Sequence, residues 1–200
     1  MPASTSALAV FRSAKSKLRP FHDPELRFPA APRIETERLV LRGFELRDLD
    51  YFLTFFADAE ASQHVGGPNG KEDTWRRMLA GAAFWPLTGL GMWTVASRDD
   101  DEAIGHVGLF DFLRDCDPSI DGTPEMGWIL DPSAQGKGYA REACEAVLDW
   151  FEQYFGKHPI WALISPGNEA SMKLAEKLGF VRQPDGVYRD RPQTLWLRPA

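Results

Sequence analysis

The chain has 200 residues, 44% of them apolar and 12% aromatic, and a formal net charge of −6. That size and composition suit one globular domain with a sizeable core, and the acidic balance argues against a general nucleic-acid binder, which carries a basic excess or stripe. Cys116 and Cys144 belong to no C-x-x-C pair, so neither a zinc site nor a disulfide framework is indicated and a reducing cytoplasm is expected; no apolar run approaches the roughly 18 residues of a membrane span.

Residues 1–30 read as an arm preceding a single domain over 31–200. The arm carries Arg12, Lys15, Lys17 and Arg19, and its apolar stretch "ALAVF" is too short for the core of a secretory leader. The first strand is expected in "RLVLRGF", where Leu39 and Leu41 share one face. "RDLDYFLTFFAD" follows as a helix with Asp48 as its cap and Leu49, Phe52, Leu53 and Phe56 as its apolar stripe. "GGPNG" is a turn, and "KEDTWRRMLAGAAFW" a second helix stopped by Pro86 and Gly89.

"GMWTVAS" and "AIGHVGLFDFL" are two strands joined across the acidic "RDDDE", "CDPSIDGTP" is a loop, and "EMGWIL" is a fourth strand. A long helix runs from Gly138 to Phe155, with Glu142, Glu145, Asp149 and Glu152 on a face expected to be solvated and without function. "PIWALIS" is a fifth strand. "NEASMKLAEKLGF" is a short helix with Asn168 as N-cap and Gly179 as its stop, and "TLWLRP" is a last strand. Consecutive strands with short loops pair antiparallel, while the helix between the fourth and fifth strands makes that pair parallel. The fold class is therefore α/β in the α+β sense: a mixed, mostly antiparallel sheet with helices on its faces.

The stretch "DPSAQGKGYA", Asp131 to Ala140, joins the fourth strand to the long helix. A glycine-rich turn at a helix N-terminus offers unsatisfied N–H groups to an anion; the alternative is an ordinary strand-to-helix turn. The P-loop pattern fails, because Gly136-Lys137 is followed by glycine and its first glycine position holds Asp131. The dinucleotide fingerprint fails at Arg141. A nucleotide-phosphate enzyme is thereby disfavoured.

In context, Gln135-Gly136-Lys137-Gly138-Tyr139-Ala140 resembles the [RQ]-x-x-G-x-[GA] coenzyme A signature of the GNAT acyltransferases. Asn168 to Phe180 resembles the second motif of that superfamily, and Thr36 to Phe44 ("TERLVLRGF") resembles the start of its branch of ribosomal-protein alanine and serine N-terminal acetyltransferases. The resemblance runs from about Ile34 to the last strand. It implies a sheet splayed between the fourth and fifth strands, with acetyl-coenzyme A as cosubstrate and no metal. The pantetheine arm would pair with the backbone of Trp128, Ile129 and Leu130, and the pyrophosphate would sit on the N–H groups of Gln135, Gly136, Lys137, Gly138, Tyr139 and Ala140. Lys137 and Arg141 either add charge there or face solvent.

The implied reaction is acetyl transfer to a primary amine, on a protein or peptide N-terminus or a small molecule, in a monomer or homodimer acting on neither nucleic acid nor membrane. Such a transfer needs a proton acceptor for the amine, an oxyanion donor and an acid for the leaving thiolate. The backbone N–H near Ile129 is the expected oxyanion donor. Ser171 starts the inward stripe of the short helix and is the candidate acid; otherwise it only helps to cap. The tyrosine that many family members place seven residues after the asparagine is Ala175 here, so that role does not carry over. Asn168 caps the helix and is expected also to hydrogen-bond the pantetheine. Glu125 opens the fourth strand as the candidate base, or else pairs with a basic neighbour, and His106 is the other candidate base. A coenzyme A-binding module without turnover is the competing reading.

Overall fold

The computed structural model describes residues 28–200; most of the arm expected at the N-terminus lies outside them. Within that range the chain forms β1 (Ile34–Glu35), β2 (Leu39–Arg42), α1 (Leu49–Ala57), α2 (Ala59–Ser62), α3 (Lys71–Thr88), β3 (Gly91–Ser97), β4 (Ala103–Phe110) and β5 (Cys116–Asp117). It continues with β6 (Glu125–Leu130), α4 (Tyr139–Phe155), β7 (Ile160–Ile164), α5 (Glu169–Lys177), β8 (Val181–Arg182), β9 (Gly186–Tyr188) and β10 (Arg191–Arg198).

The sheet order is β1-β2-β3-β4-β6-β7-β10-β9-β5, with β8 also on β10. Every pairing is antiparallel except β6 with β7. The mixed, mostly antiparallel sheet expected from the sequence is the one found. The parallel pair is held at one register position, Glu125 opposite Trp161, where the Trp161 N–H donates to the Pro124 carbonyl at 2.8 Å. Beyond it the strands part, because β7 is drawn into a five-residue ladder with β10, from Ile160 opposite Arg198 to Ile164 opposite Thr194.

Two apolar clusters sandwich the sheet. One packs Ala143, Cys144, Val147 and Phe151 of α4 against Leu39, Leu41, Val107, Leu109 and Met126. The other packs Phe52, Phe55 and Phe56 of α1 and Met78 of α3 against Ile129. Each fully buried valine, leucine, isoleucine, phenylalanine or methionine side chain among them contributes about 1.5–3 kcal/mol. Strand alternation explains the division: Met126 and Ile129 differ by an odd number of positions and so face opposite sides.

Three local expectations change. Pro86 lies inside the last turn of α3, which runs on to Thr88. The Thr88 hydroxyl bonds the Phe84 carbonyl at 2.8 Å, and the real stop is Gly89 in the left-handed region at φ 77°. Asp48 makes no capping bond to α1. It is buried, and takes Arg42 Nη1 at 2.8 Å and Nη2 at 2.9 Å, the Glu45 N–H at 2.9 Å and the Thr94 hydroxyl at 3.1 Å. The loop after β4 contains the short strand β5, which pairs with β9; two-residue strands leave no readable period in sequence.

Candidate active site

The site is built on the parting of β6 and β7. The Asp131 N–H donates to the Ile104 carbonyl of β4 at 2.8 Å. Main-chain groups alternate sides along a strand, so those of Ile129 also turn to β4, where Ile129 faces His106 in the register. The groups of Trp128 and Leu130 turn to the gap. Leu130 already gives its carbonyl to Gln135 Nε2 at 3.3 Å, whereas Trp128 has no β7 residue opposite it. Of the three β6 residues expected along a pantetheine, Trp128 and Leu130 therefore present backbone to the gap, while the N–H of Ile129, near which the oxyanion donor is expected, faces β4 and its two neighbours face the gap.

The Trp128 side chain crosses toward α5. Its Nε1–H donates to Ser171 Oγ at 3.2 Å, and its ring meets Phe180 at 6.4 Å between centroids. Ser171 is held from behind as well, because its N–H donates to Asn168 Oδ1 at 3.1 Å, the N-cap bond of α5. The Asn168 amide NH₂ remains available as a donor. A serine oxygen that accepts from an indole has its own O–H proton left to give.

The turn from Asp131 to Ala140 opens the wide end of the gap. Asp131 accepts from the Ser133 N–H at 2.8 Å and starts a short 3-10 turn, Pro132–Ala134. The Gln135 N–H is already given to the Pro132 carbonyl at 3.3 Å. Gly136 at φ 74° and Gly138 at φ 83° are both left-handed, a region where other L-residues are strained. The N–H groups of Gly136, Lys137 and Gly138 have no acceptor among the described residues, and those of Tyr139 and Ala140 belong to the open first turn of α4. An exposed run of unsatisfied donors at a helix N-terminus fits a pyrophosphate.

The β1–β2 turn braces this region. Glu142 in the first turn of α4 accepts from the Thr36 hydroxyl at 2.6 Å, the Arg38 N–H at 2.9 Å and Arg38 Nε at 2.7 Å. Burial works against its charge, but these bonds outweigh it and hold the carboxyl below its usual range. The acidic face of α4 is thus not uniformly a solvated one: Glu142 is engaged here and Glu152 pairs with Arg198 at 2.7 Å. Arg141 pairs with Glu145 at 2.8 Å along the helix.

On the opposite side of the sheet stands Glu125, 5% exposed. Both its oxygens are taken by Arg114, Nε at 2.5 Å and Nη2 at 2.8 Å. Burial pushes the carboxyl up, and Arg114 pulls it only part of the way back; the fork on both oxygens is the geometry of a charge-assisted pair. Arg114 is itself stacked over Phe112 at 5.0 Å and Tyr188 at 4.7 Å. The pairing with a basic neighbour, one of the two readings open for Glu125, is what the structure contains. His106 sits among Phe44, Phe52 and Phe56 at 5.6–6.4 Å between centroids. Burial, with the charge of Arg77, pulls its pKa down to about 3, a direction that weakens the ring as a proton acceptor.

Sequence reasoning missed Arg114 and the pair Arg38–Glu142. Arg114 lies in an irregular loop with no period, and Arg38 and Glu142 meet only through the fold. No group of three or more His, Cys, Asp or Glu side chains able to hold a metal occurs among the described residues, and no described helix is long and apolar enough to cross a membrane.

A family model described as an acetyltransferase (GNAT) domain matches residues 38–181. An uncharacterised N-acetyltransferase of Bacillus subtilis is 29% identical over 157 residues, covering 75% of this chain and 83% of its own. Another, from Bacillus licheniformis, is 30% identical, covering 78% of this chain and 84% of its own. Among solved structures, an acetyltransferase from Agrobacterium tumefaciens superposes with a TM-score of 0.73 at 29% identity, over 84% of this chain and 94% of that one. A ribosomal L7/L12 α-N-protein acetyltransferase solved with coenzyme A shares the fold, with a TM-score of 0.67 at 15% identity. The chain belongs to the GNAT family of acetyltransferases, enzymes whose cosubstrate is acetyl-coenzyme A.

Proposed function

We propose that this protein transfers the acetyl group directly from acetyl-coenzyme A to a primary α-amine, at a peptide N-terminus or on a small molecule of like basicity. The observation that carries this reading is the bond from Trp128 to Ser171 beside the gap between β6 and β7. The main-chain donors of residues 136–140 hold the pyrophosphate, with Gln135 contributing its side chain rather than its N–H. The gap-facing backbone of Trp128 and Leu130 holds the pantetheine, and the Asn168 amide reaches the same arm.

The amine nitrogen attacks the thioester carbon. The developing oxyanion takes a hydrogen bond from a gap-facing N–H of β6, a contribution of roughly 10²–10³ in rate. The C–S bond then breaks, and the Ser171 hydroxyl gives its proton to the sulfur. Trp128 Nε1–H, donating to Ser171 Oγ, offsets the charge left on that oxygen until the proton lost by the ammonium replaces it through water. Glu125 is bound on both oxygens and serves to fix Arg114 rather than to strip the amine. With Glu125 held by Arg114, acceptors near pKa 7.7–8.0, partly neutral at pH 7.5, react and lysine side chains near 10.4 do so poorly.

The test is thiol release from acetyl-coenzyme A with two matched peptides, one with a free N-terminus and one N-terminally blocked with a free lysine. Turnover of the first well above the second at pH 7.5 supports the reading. Equal turnover, or a preference for lysine, overturns the α-amine assignment. Calorimetric binding of acetyl-coenzyme A with no turnover across peptide and small-amine panels would leave the non-catalytic coenzyme A-binding module in its place.

A further inference from the structure

We propose that Arg38 is a positioning residue for the phosphate-binding turn: it sets the direction of the Lys137–Gly138 peptide and cancels the charge of Glu142 beside it. Arg38 lies in the turn between β1 and β2, far from the turn in sequence. Its Nη1 donates to the Lys137 carbonyl at 2.8 Å. Its Nε and Nη2 reach Glu142 Oε2 at 2.7 and 2.6 Å, and its guanidinium carbon lies 4.7 Å from the centre of the Tyr139 ring.

Each contact bears on an anion. A peptide group is planar and trans, so the Lys137 carbonyl and the Gly138 N–H point in opposite directions. Holding the carbonyl against Arg38 turns the Gly138 N–H away, to the side where no described residue offers it an acceptor. A cationic donor on the carbonyl also polarises the peptide and strengthens its N–H as a donor. Glu142, one turn into α4, is a negative charge close to where a pyrophosphate would sit, and unneutralised it would repel that ligand. Arg38 closes over this carboxylate while the Thr36 hydroxyl and the Arg38 N–H take its other oxygen. Gly138 completes the fit: a Cβ there would stand 3.4 Å from Arg38 Nη2, at a φ of 83°.

The role rests on the seating of the pyrophosphate on residues 135–140 proposed above, and the experiment separates the two. Dissociation constants are measured by calorimetry for acetyl-coenzyme A and for S-acetyl-pantetheine, which has the same thioester arm without the pyrophosphate. They are measured on the wild type, Arg38→Ala and Arg38→Lys, with melting temperatures alongside. The expected result is a loss of about tenfold or more for acetyl-coenzyme A in Arg38→Ala, the scale of losing charge-assisted bonds, with S-acetyl-pantetheine within about twofold of wild type. Arg38→Lys falls between, since an ammonium keeps the charge but has no fork to hold carbonyl and carboxylate together. Should Arg38→Ala fail to fold, Arg38→Lys carries the same comparison. A purely structural role weakens both ligands alike, and that outcome, or unchanged acetyl-coenzyme A binding in a folded Arg38→Ala, overturns the proposal. Equal affinity of the wild type for the two ligands would instead remove the pyrophosphate from this turn.

Discussion

Trp128 and Ser171 come from different elements, a strand and a helix, and meet at 3.2 Å through an indole donor and a hydroxyl acceptor. The bond leaves the Ser171 proton free and stabilises the oxygen once that proton has gone, which makes the hydroxyl a better acid. Ser171→Ala is expected to lower kcat by about 10²-fold with little change in KM for acetyl-coenzyme A, the range of a positioned general acid. Trp128→Phe keeps the ring and removes the donor, and should lower kcat by about three- to tenfold, one neutral hydrogen bond of roughly 1 kcal/mol. Because the indole acts through the serine, adding Trp128→Phe to Ser171→Ala should change kcat no further. Additive losses in steady-state kinetics would place Trp128 outside this role.

The glycines of the turn separate strain from contact. Gly136 has φ 74° and open space where a Cβ would go, so Gly136→Ala adds backbone strain of roughly 1–2 kcal/mol and no clash. Relief of that strain by movement of the turn is expected to weaken acetyl-coenzyme A about fivefold or more. Gly156, at the end of α4, has φ 77° and equally open space. Gly156→Ala should cost similar stability with affinity unchanged, as read by calorimetry and denaturant melts.

The buried pair Arg42–Asp48 predicts a large effect on stability and none on chemistry. Asp48→Asn leaves the Arg42 guanidinium, 4% exposed, without its two-pronged partner. Breaking such a pair costs about 3–5 kcal/mol, measured as a shift of the urea midpoint at constant slope. A loss under about 1 kcal/mol would mean that Asp101, which also reaches Arg42 Nε at 3.1 Å, suffices alone.

His106 supplies a pH dependence. Its folded pKa is about 3 against about 6.5 in an unfolded chain. As the pH falls below 6.5 the unfolded state takes up a proton that the folded state refuses, so stability declines until about pH 3. His106→Leu, which suits the surrounding phenylalanines, removes this contribution. Between pH 6.5 and 4.5 the wild type should lose about 2–3 kcal/mol more than the variant. Parallel curves would show that the ring protonates in place.

A depressed Glu142 carboxyl acts in the same direction in a lower window. Its stabilisation is present above its unfolded pKa, near 4.3, and is lost as the pH falls through the folded value. Glu142→Gln should therefore flatten the acid limb of the stability curve below about pH 4.3. An unaltered limb in acid titration monitored by circular dichroism would disprove it.

The sequence alone determined the local chemistry of this protein. Strands and helices were legible because apolar residues recur at periods of two and 3.6 along β3, β4, β6 and α4. The turn at Gly136 and Gly138 was legible because only glycine takes such dihedrals without strain, and the cap at Asn168 because its residue type and place specify it. The tertiary structure alone decided which groups those elements bring together. Ladder parity, set by the partner strand, turned Ile129 to β4 and Trp128 to the gap. Distant pairing gave Glu125 to Arg114 and Glu142 to Arg38, and converted Asp48 from a cap into a buried counter-charge. A hydrogen bond between residues 104 positions apart, as from Arg38 to Glu142, leaves no periodic trace in sequence, because what selects it is proximity in the folded chain.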